Sequence, residues 1–349
     1  MDKEGKSAMA SALARDSNSF GSLKGKRTFI TGGAGFIGSY VADLLIDADV
    51  EEIVILDNMI RGRPENLSHA LTSGKVKLIE GDIRDTELIK KLVSDADIVF
   101  HLAALRITHC AAEPRQAIEV MIDATFDVIE NARHSGVEKV VMASSASVYG
   151  MAGSFPTTEA HHPYGNRTLY GAAKVFGEGL LRSYNDMFGT DYVCLRFFNV
   201  YGPRMDIHGK YTEVLVRWME RIEAGKPPII FGDGTQTLDM IHVRDVARSI
   251  VLSAAMPATD VALNVGSGEE TSLHQLAVAL AKVMGRADLN PVFEAERAVN
   301  PVRKRQADVQ LARELINFET TISLDEGLGE LVEWWRAERS ATADAEMLA

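Results

Sequence analysis

The chain has 349 residues, 46% hydrophobic and 25% charged, ordinary proportions for a globular protein with room for one large α/β domain or two smaller ones. A formal net charge of −12 argues against a nucleic-acid or anionic-membrane surface, so an anionic substrate needs a local cationic pocket. The two cysteines, Cys110 and Cys194, stand far apart in apolar surroundings and read as buried thiols of a reducing compartment, the cytoplasm, and not as a disulfide or a metal pair.

Residues 1–25 mix Lys, Glu, Ser and Ala without an apolar stretch and read as a flexible leader, not a signal peptide; no apolar run is long enough to span a membrane. A short strand, Thr28–Ile30, leads into Thr31-Gly32-Gly33-Ala34-Gly35-Phe36-Ile37-Gly38, which opens a helix from Phe36 to Ile46. Glycines at 32, 35 and 38 let the backbone turn tightly, approach a pyrophosphate and pack the helix on the strand. A second strand, Ile53–Leu56, ends in Asp57, 19 residues after Gly38. A carboxylate there accepts both ribose hydroxyls of an adenosine and repels a 2′-phosphate, which favours NAD over NADP.

Further β-branched runs follow at Val76–Glu80, Ile98–Leu102, Lys139–Ala143 and Tyr192–Phe197, separated by helical patterns such as Glu87–Val93 and Ala117–His134. This alternation predicts βαβ units: a Rossmann-type α/β domain over 26–201, a doubly wound parallel sheet with helices on both faces. After Gly202-Pro203 the alternation loosens. Helices are expected at Thr212–Ala224, Val246–Ala255, Ser272–Met284 and Leu324–Arg339, around Pro227-Pro228 and the turn Gly232-Asp233-Gly234. Residues 202–338 read as a smaller, mainly substrate-binding α/β domain with some segments returning to the first sheet, and 339–349 as a flexible tail. Trp334-Trp335 read as core caps on an amphipathic helix.

The chemistry is concentrated in two segments. Tyr170 and Lys174 lie four apart in a helical stretch, Leu169–Tyr184, and so share a face. An ammonium beside a phenol lowers the phenol's pKa from about 10 toward neutrality, giving a base for a substrate hydroxyl. Upstream, Ser144-Ser145-Ala146-Ser147-Val148-Tyr149-Gly150 ends a predicted strand, where open α/β sheets place their ligands. A serine hydroxyl there can hold the substrate oxygen and share its proton with Tyr170.

These motifs occur in one order with Gly81-Asp82, His101-Leu102-Ala103-Ala104 and Arg196-Phe197-Phe198-Asn199-Val200-Tyr201-Gly202-Pro203-Arg204. Over about residues 26–336 the chain resembles the extended short-chain dehydrogenase/reductase family, in its NAD-dependent nucleotide-sugar epimerase/dehydratase branch, and is UDP-glucose 4-epimerase-like. The resemblance implies that Gly32, Gly35, Phe36, Ile37 and Gly38 hold the pyrophosphate end of NAD and that Asp57 and Asn58 hold its adenosine ribose. It places Asp82 and Ile83 beside the adenine, and Leu102, Ala103, Ala104, Ser144, Phe197, Tyr170 and Lys174 around the nicotinamide half. It makes Ser145, Tyr170 and Lys174 catalytic, and puts Ser145, Ser147, Tyr170, Asn199 and Gln236 against the substrate.

Several positions depart from the family pattern. The 4,6-dehydratases carry Asp and Glu after the catalytic Ser/Thr, and the decarboxylases a Glu; here stand Ala146 and Ser147. Oxidation and re-reduction at C4 then remain, so the expected activity is a nucleotide-sugar epimerase, inverting C4 through a transient 4-keto sugar. The alternative is a dehydratase or net oxidoreductase of the same family, and less so a non-catalytic NAD-binding protein. The arginine expected in the Gly-Asp-Gly-x-Gln-x-Arg-Asp pattern is Leu238, and the usual Asn in the helix after the fourth strand is Met121. Arg297, Arg303 and Arg305 are candidates for the missing phosphate contact, or else a solvated basic turn. His101 reads as a core or rim histidine, His161-His162 as a surface loop, and no cluster has metal spacing. The family's usual assembly implies a homodimer through the helices at Ala117–His134 and Leu169–Tyr184, with Phe126, Ile129, Val175 and Leu181 as its apolar residues.

Overall fold

The computed structural model describes residues 20–207, 213–295 and 302–348, with side chains as far as Ser340. Its strands are β1 (Arg27–Thr31), β2 (Glu52–Asp57), β3 (Val76–Glu80), β4 (Ile98–His101), β5 (Lys139–Ser145), β6 (Tyr192–Phe197), β7 (Asn199–Tyr201), β8 (Ile229–Phe231), β9 (Thr237–Leu238), β10 (Met240–His242) and β11 (Val261–Val265), with short pairing segments after them. Seven of them form one parallel sheet in the order β11-β6-β5-β4-β1-β2-β3. β4 and β6 are buried along their whole length, as strands covered on both faces must be.

Helices Phe36–Asp47 and Val243–Ala255 cover one face, over a core that includes Ile30, Val41, Leu45, Ile55, Val246 and Ile250. Helices Thr86–Val93, Ala124–His134 and Leu169–Phe188 cover the other, over Phe29, Val99, Val128, Met142 and Leu181. The sheet changes direction of growth between β1 and β4, so a crevice opens at the carboxyl ends of these strands, beside Gly32 and Ala103. A third core holds the second half together: Trp218, Met219, Leu280, Leu331 and the buried Trp335. The last strand of the large sheet, β11, also comes from this half.

The structure corrects several sequence expectations. Residues 20–25 are not part of a loose leader: Phe20 and Leu23 are buried in the core, and the Ser22 hydroxyl donates to the Ala255 carbonyl at 2.8 Å. The last helix runs from Leu324 to Leu348, through most of the expected tail, because Ala and Glu favour helix. The expected helix at 117–134 is broken by a π-turn at Glu119–Asp123. There the Thr125 hydroxyl donates to the Met121 carbonyl at 3.0 Å, and the Met121 thioether accepts the Leu105 N–H at 3.2 Å. β5 extends past Ala143 to include Ser144 and Ser145. Leader residues 1–19 and the candidate Arg297 lie outside the described residues.

Candidate active site

The glycine turn is built for close approach. Gly32 has φ +74°, and a Cβ on it would lie 2.9 Å from the Ala103 Cα; at Gly38 a Cβ would collide with the Gly32 carbonyl oxygen. At Gly35 a Cβ would meet only the Gly32 oxygen, at 3.2 Å, so the space beyond is open. The helix that starts there at Phe36 and Ile37 has no side-chain cap, which leaves its first N–H groups for an anion. Asp57 is fixed by two backbone donors: Ala34 N–H to Oδ2 and Met59 N–H to Oδ1, each at 3.0 Å. Burial pushes its pKa up, while these N–H groups and Arg61 pull it down. Asp82 takes a two-point contact from Arg84, at 3.0 and 2.8 Å, beside the buried Ile83; Asn58 hydrogen-bonds to Asp82. Open glycine turn, uncapped helix start and oriented carboxylate together suit a dinucleotide with unmodified adenosine ribose. Leu102, Ala103 and Ala104 follow β4 across the crevice and are half-buried.

The reacting centre lies where β5 meets the Leu169–Phe188 helix. Thr168 caps that helix, its hydroxyl accepting the Gly171 N–H at 3.0 Å. Ser145 accepts the Ser147 N–H at 3.1 Å and hydrogen-bonds to Tyr170. Sequence reasoning missed Gly171: a Cβ there would lie 2.6 Å from the Ser147 carbonyl oxygen, so only glycine lets Tyr170 sit this close to the serine turn. Lys174 Nζ donates to the Ala143 carbonyl at 2.7 Å and lies 5.8 Å from the Tyr170 ring centroid. Burial lowers the Lys174 pKa to about 8.

The expected near-neutral phenol is not what the protein groups produce. Burial is the largest effect and pushes Tyr170 up; Ser145, Arg305 and Arg61 pull it down, and Lys174 is not among the main causes. His101 behaves as a core histidine. Its Nδ1 meets the Thr31 hydroxyl at 2.9 Å and its Nε2 the Thr125 hydroxyl at 3.0 Å, and burial lowers its pKa to about 3.

The three candidate arginines separate. Arg303 is largely exposed, 3.9 Å from Asp233. Arg305 is half-buried and close enough to Tyr170 to lower its pKa. Asn199 carries a buried Oδ1 with no partner among the described residues, an expensive arrangement unless a ligand supplies one. Gln236 and Ser147 are half-buried, and Ser144 and Phe197 are buried. Sequence reasoning also missed the ionic group of Arg61, Arg106 and Asp206, with Asp206 Oδ2 3.3 Å from Arg61 Nε and 3.5 Å from Arg106 Nη2. Loop residues offer no period from which it could have been read. Among the described residues no His/Cys/Asp/Glu group could hold a metal, and no helix is long and apolar enough to cross a membrane.

A Rossmann crevice that ends on a serine, a tyrosine and a lysine suits an NAD-dependent enzyme. The chain belongs to the NAD dependent epimerase/dehydratase family, whose family model matches residues 28–266. It is 37% identical to the UDP-glucose 4-epimerase of Mycolicibacterium smegmatis, over 89% of this chain and 98% of that one. It also resembles the crystal structure of Thermotoga maritima UDP-glucose 4-epimerase with UDP-glucose, at 33% identity and a TM-score of 0.82, covering 89% of this chain and 99% of that one. A dTDP-glucose 4,6-dehydratase from Streptomyces venezuelae, solved with NAD bound, is similar at 26% identity and a TM-score of 0.81, covering 90% and 98% of the two chains. The protein is thus an enzyme of the nucleotide-sugar epimerase/dehydratase class.

Proposed function

We propose that the protein is a nucleotide-sugar 4-epimerase working with NAD in the glycine-turn crevice. What carries this reading is the serine turn: Ser145 is followed by the buried Ala146 and by Ser147, so no carboxylate stands there to expel water or act at C5. The nearest carboxylate on the tyrosine's helix, Glu178, is held by Arg196 and Ser144 and is not free for that chemistry.

NAD, when bound, supplies the acceptor that takes the C4 hydrogen with its electron pair and returns it. Tyr170 Oη, held by Ser145, takes the proton of the C4 hydroxyl and gives it back after the 4-keto sugar has turned over. Ser145 orients the C4 oxygen, and Lys174, anchored on the Ala143 carbonyl, keeps a positive charge behind the tyrosine ring. Arg305, Asn199 and Gln236 hold the diphosphate end through their N–H groups; the half-buried Arg305 guanidinium supports this. Chromatography of UDP-, GDP-, CDP- and dTDP-sugars incubated with the protein tests the reading. Epimer formation without net change in the nicotinamide absorbance is expected. Stoichiometric NADH, or a product that has lost water or carbon dioxide, overturns it.

A further inference from the structure

Tyr170 and Lys174 are followed, one helical turn further on the same face, by Glu178. Glu178 is buried and sits over the end of β5. Its Oε1 accepts the Ser144 hydroxyl at 2.5 Å and Arg196 Nε at 2.9 Å; its Oε2 accepts Arg196 Nη2 at 2.7 Å. Ser144 and Arg196 are register partners on β5 and β6, so the carboxylate ties the helix to two neighbouring strands at once. The remaining Arg196 nitrogen, Nη1, donates to the Tyr149 hydroxyl and the Glu159 carbonyl, each at 2.9 Å. The Tyr149 hydroxyl donates to Asn264 Oδ1 at 2.6 Å, and Asn264 Nδ2 donates to the Asp308 carbonyl at 3.0 Å, close in sequence to Arg305. One buried network therefore joins the helix of Tyr170, the serine turn and the segment that carries Arg305.

We propose that Glu178 is a positioning residue for the reaction, setting the register of the Tyr170–Lys174 helix on β5 so that Tyr170 meets Ser145. Three successive contacts define that register. Lys174 meets the Ala143 carbonyl, Gly177 packs so closely that a Cβ would lie 2.8 Å from the Met142 sulfur, and Glu178 meets Ser144. The first and the last carry charge, and only the last meets an opposite charge, that of Arg196; a buried charge so paired resists sliding more than an apolar contact. A displacement of about 1 Å in a reacting group costs up to about a hundredfold in rate.

The same carboxylate faces Lys174 electrostatically. The groups around that ammonium are Tyr170 and Glu178 on its own helix, Cys110 on the helix Ile107–Ala112, Cys194 on β6 and His101 on β4, with Arg196 behind Glu178. Glu178 raises the Lys174 pKa against burial, so removing its charge favours the neutral amine and moves the titration to lower pH.

The proposal rests on the epimerase reading for its kinetic arm and is independent of it for the other. Glu178→Gln keeps the shape and removes the charge; Ser144→Ala cuts the tie to β5 and keeps the ion pair. With the best nucleotide sugar, both are expected to lower kcat at least about tenfold with KM near the parent value, as misplacement of a reacting group predicts. Lysine-labelled protein reports the titration of Lys174 by NMR, assigned by its loss in Lys174→Met, and the Glu178→Gln titration is expected at lower pH. Parental kcat and parental titration in a folded Glu178→Gln protein overturn the proposal. If Glu178→Gln does not fold, Ser144→Ala decides: parental kcat there overturns it, and a fall in kcat with KM and melting temperature retained supports it. A parent that converts no nucleotide sugar refutes the epimerase reading alone, because the titration still reads the contact.

Discussion

The backbone N–H of Arg305 donates to the Thr237 carbonyl at 3.2 Å, which stands Arg305 beside Leu238. The Thr237 N–H in turn donates to the Arg303 carbonyl at 2.9 Å, so Thr237 is bracketed by the two arginines as in a parallel strand pair. Leu238 occupies the place where the family pattern has an arginine. Arg305, the proposed substitute, stands next to it on the neighbouring segment, with its side chain half-buried toward Tyr170.

Arg305→Ala is therefore expected to raise KM for the nucleotide sugar by about 1.5–3 kcal/mol, the worth of a hydrogen bond to a charged group, with kcat little changed. Arg303→Ala, at an exposed guanidinium beside Asp233, is expected to leave KM alone. Adding Leu238→Arg to Arg305→Ala returns an arginine to the family position and is expected to recover part of the loss. Steady-state kinetics of the three proteins check this, and a parental KM in Arg305→Ala sinks the assignment.

The glycine turn, Asp57 and the Tyr170–Lys174 pair were readable because each rests on local rules: turn conformation, strand ends and helical period. The burial of Arg305 near Tyr170 and the exposure of Arg303 were not, since they depend on which segment pairs with Thr237, a contact between residues far apart in the chain. The direction of the Tyr170 pKa was missed for a related reason. Spacing shows that a lysine is near, but desolvation depends on what the whole fold packs around the phenol. Likewise, the Ala/Glu composition near the C-terminus is equally that of a tail and of a stable helix. Phe20 and Leu23 gave no periodic signal before the first strand, yet both are core residues.

Tyr170→Phe is expected to reduce kcat by about 10²–10⁴, the usual contribution of a positioned acid/base, while NAD stays bound. The hydroxyl is the only group removed, and the ring remains to fill its place beside Ser145. Single-turnover and steady-state assays on protein of verified NAD content check it; parental rates in the variant remove Tyr170 from its role.

Two buried histidines set an acid limit to stability. Burial holds both His101 and His242 to a pKa of about 3, against an ordinary value of 6.5. The unfolded chain binds their protons below 6.5 and the folded one does not, so stability is lost as pH falls from 6.5 toward 3. At pH 5 the loss is on the order of 2 kcal/mol for each, taking about 1.4 kcal/mol per unit. Melting temperature followed from pH 7.5 to 5 is expected to fall steadily. A flat profile contradicts the neutral assignment.

The homodimer expected from the family needs a revised surface. Ile129 and Leu181 are fully buried within the chain, so they cannot meet a partner, whereas Phe126 is 42% exposed and Val175 half-buried. If a second copy packs there, Phe126→Glu places a charge in the contact and is expected to yield monomers by light scattering at micromolar concentration. A parent that is already monomeric rules the assembly out.

The last expectation concerns the choice between NAD and NADP. Asp57 is 8% exposed, and its two oxygens are oriented by the Ala34 and Met59 N–H groups, so it cannot swing away from a 2′-phosphate. Reversal of preference would require a cation to override it. The two basic side chains that follow it are both engaged elsewhere: Arg61 Nε donates to Asp206 at 3.3 Å, and Arg63 Nη1 to Glu338 at 3.2 Å. Like charges brought together in a site cost several kcal/mol, so NAD is expected to bind at least about a hundredfold more tightly than NADP. Asp57→Asn should narrow the gap by removing the repulsion. Asp57→Asn combined with Glu338→Gln should narrow it further, because Arg63 is then released toward the phosphate. Calorimetric titration of both cofactors into the parent and the two variants, after exchange of any resident cofactor, measures the differences. Equal affinities in the parent would show that Arg61 or Arg63 leaves its carboxylate when NADP arrives, and the selectivity assigned to Asp57 would fall.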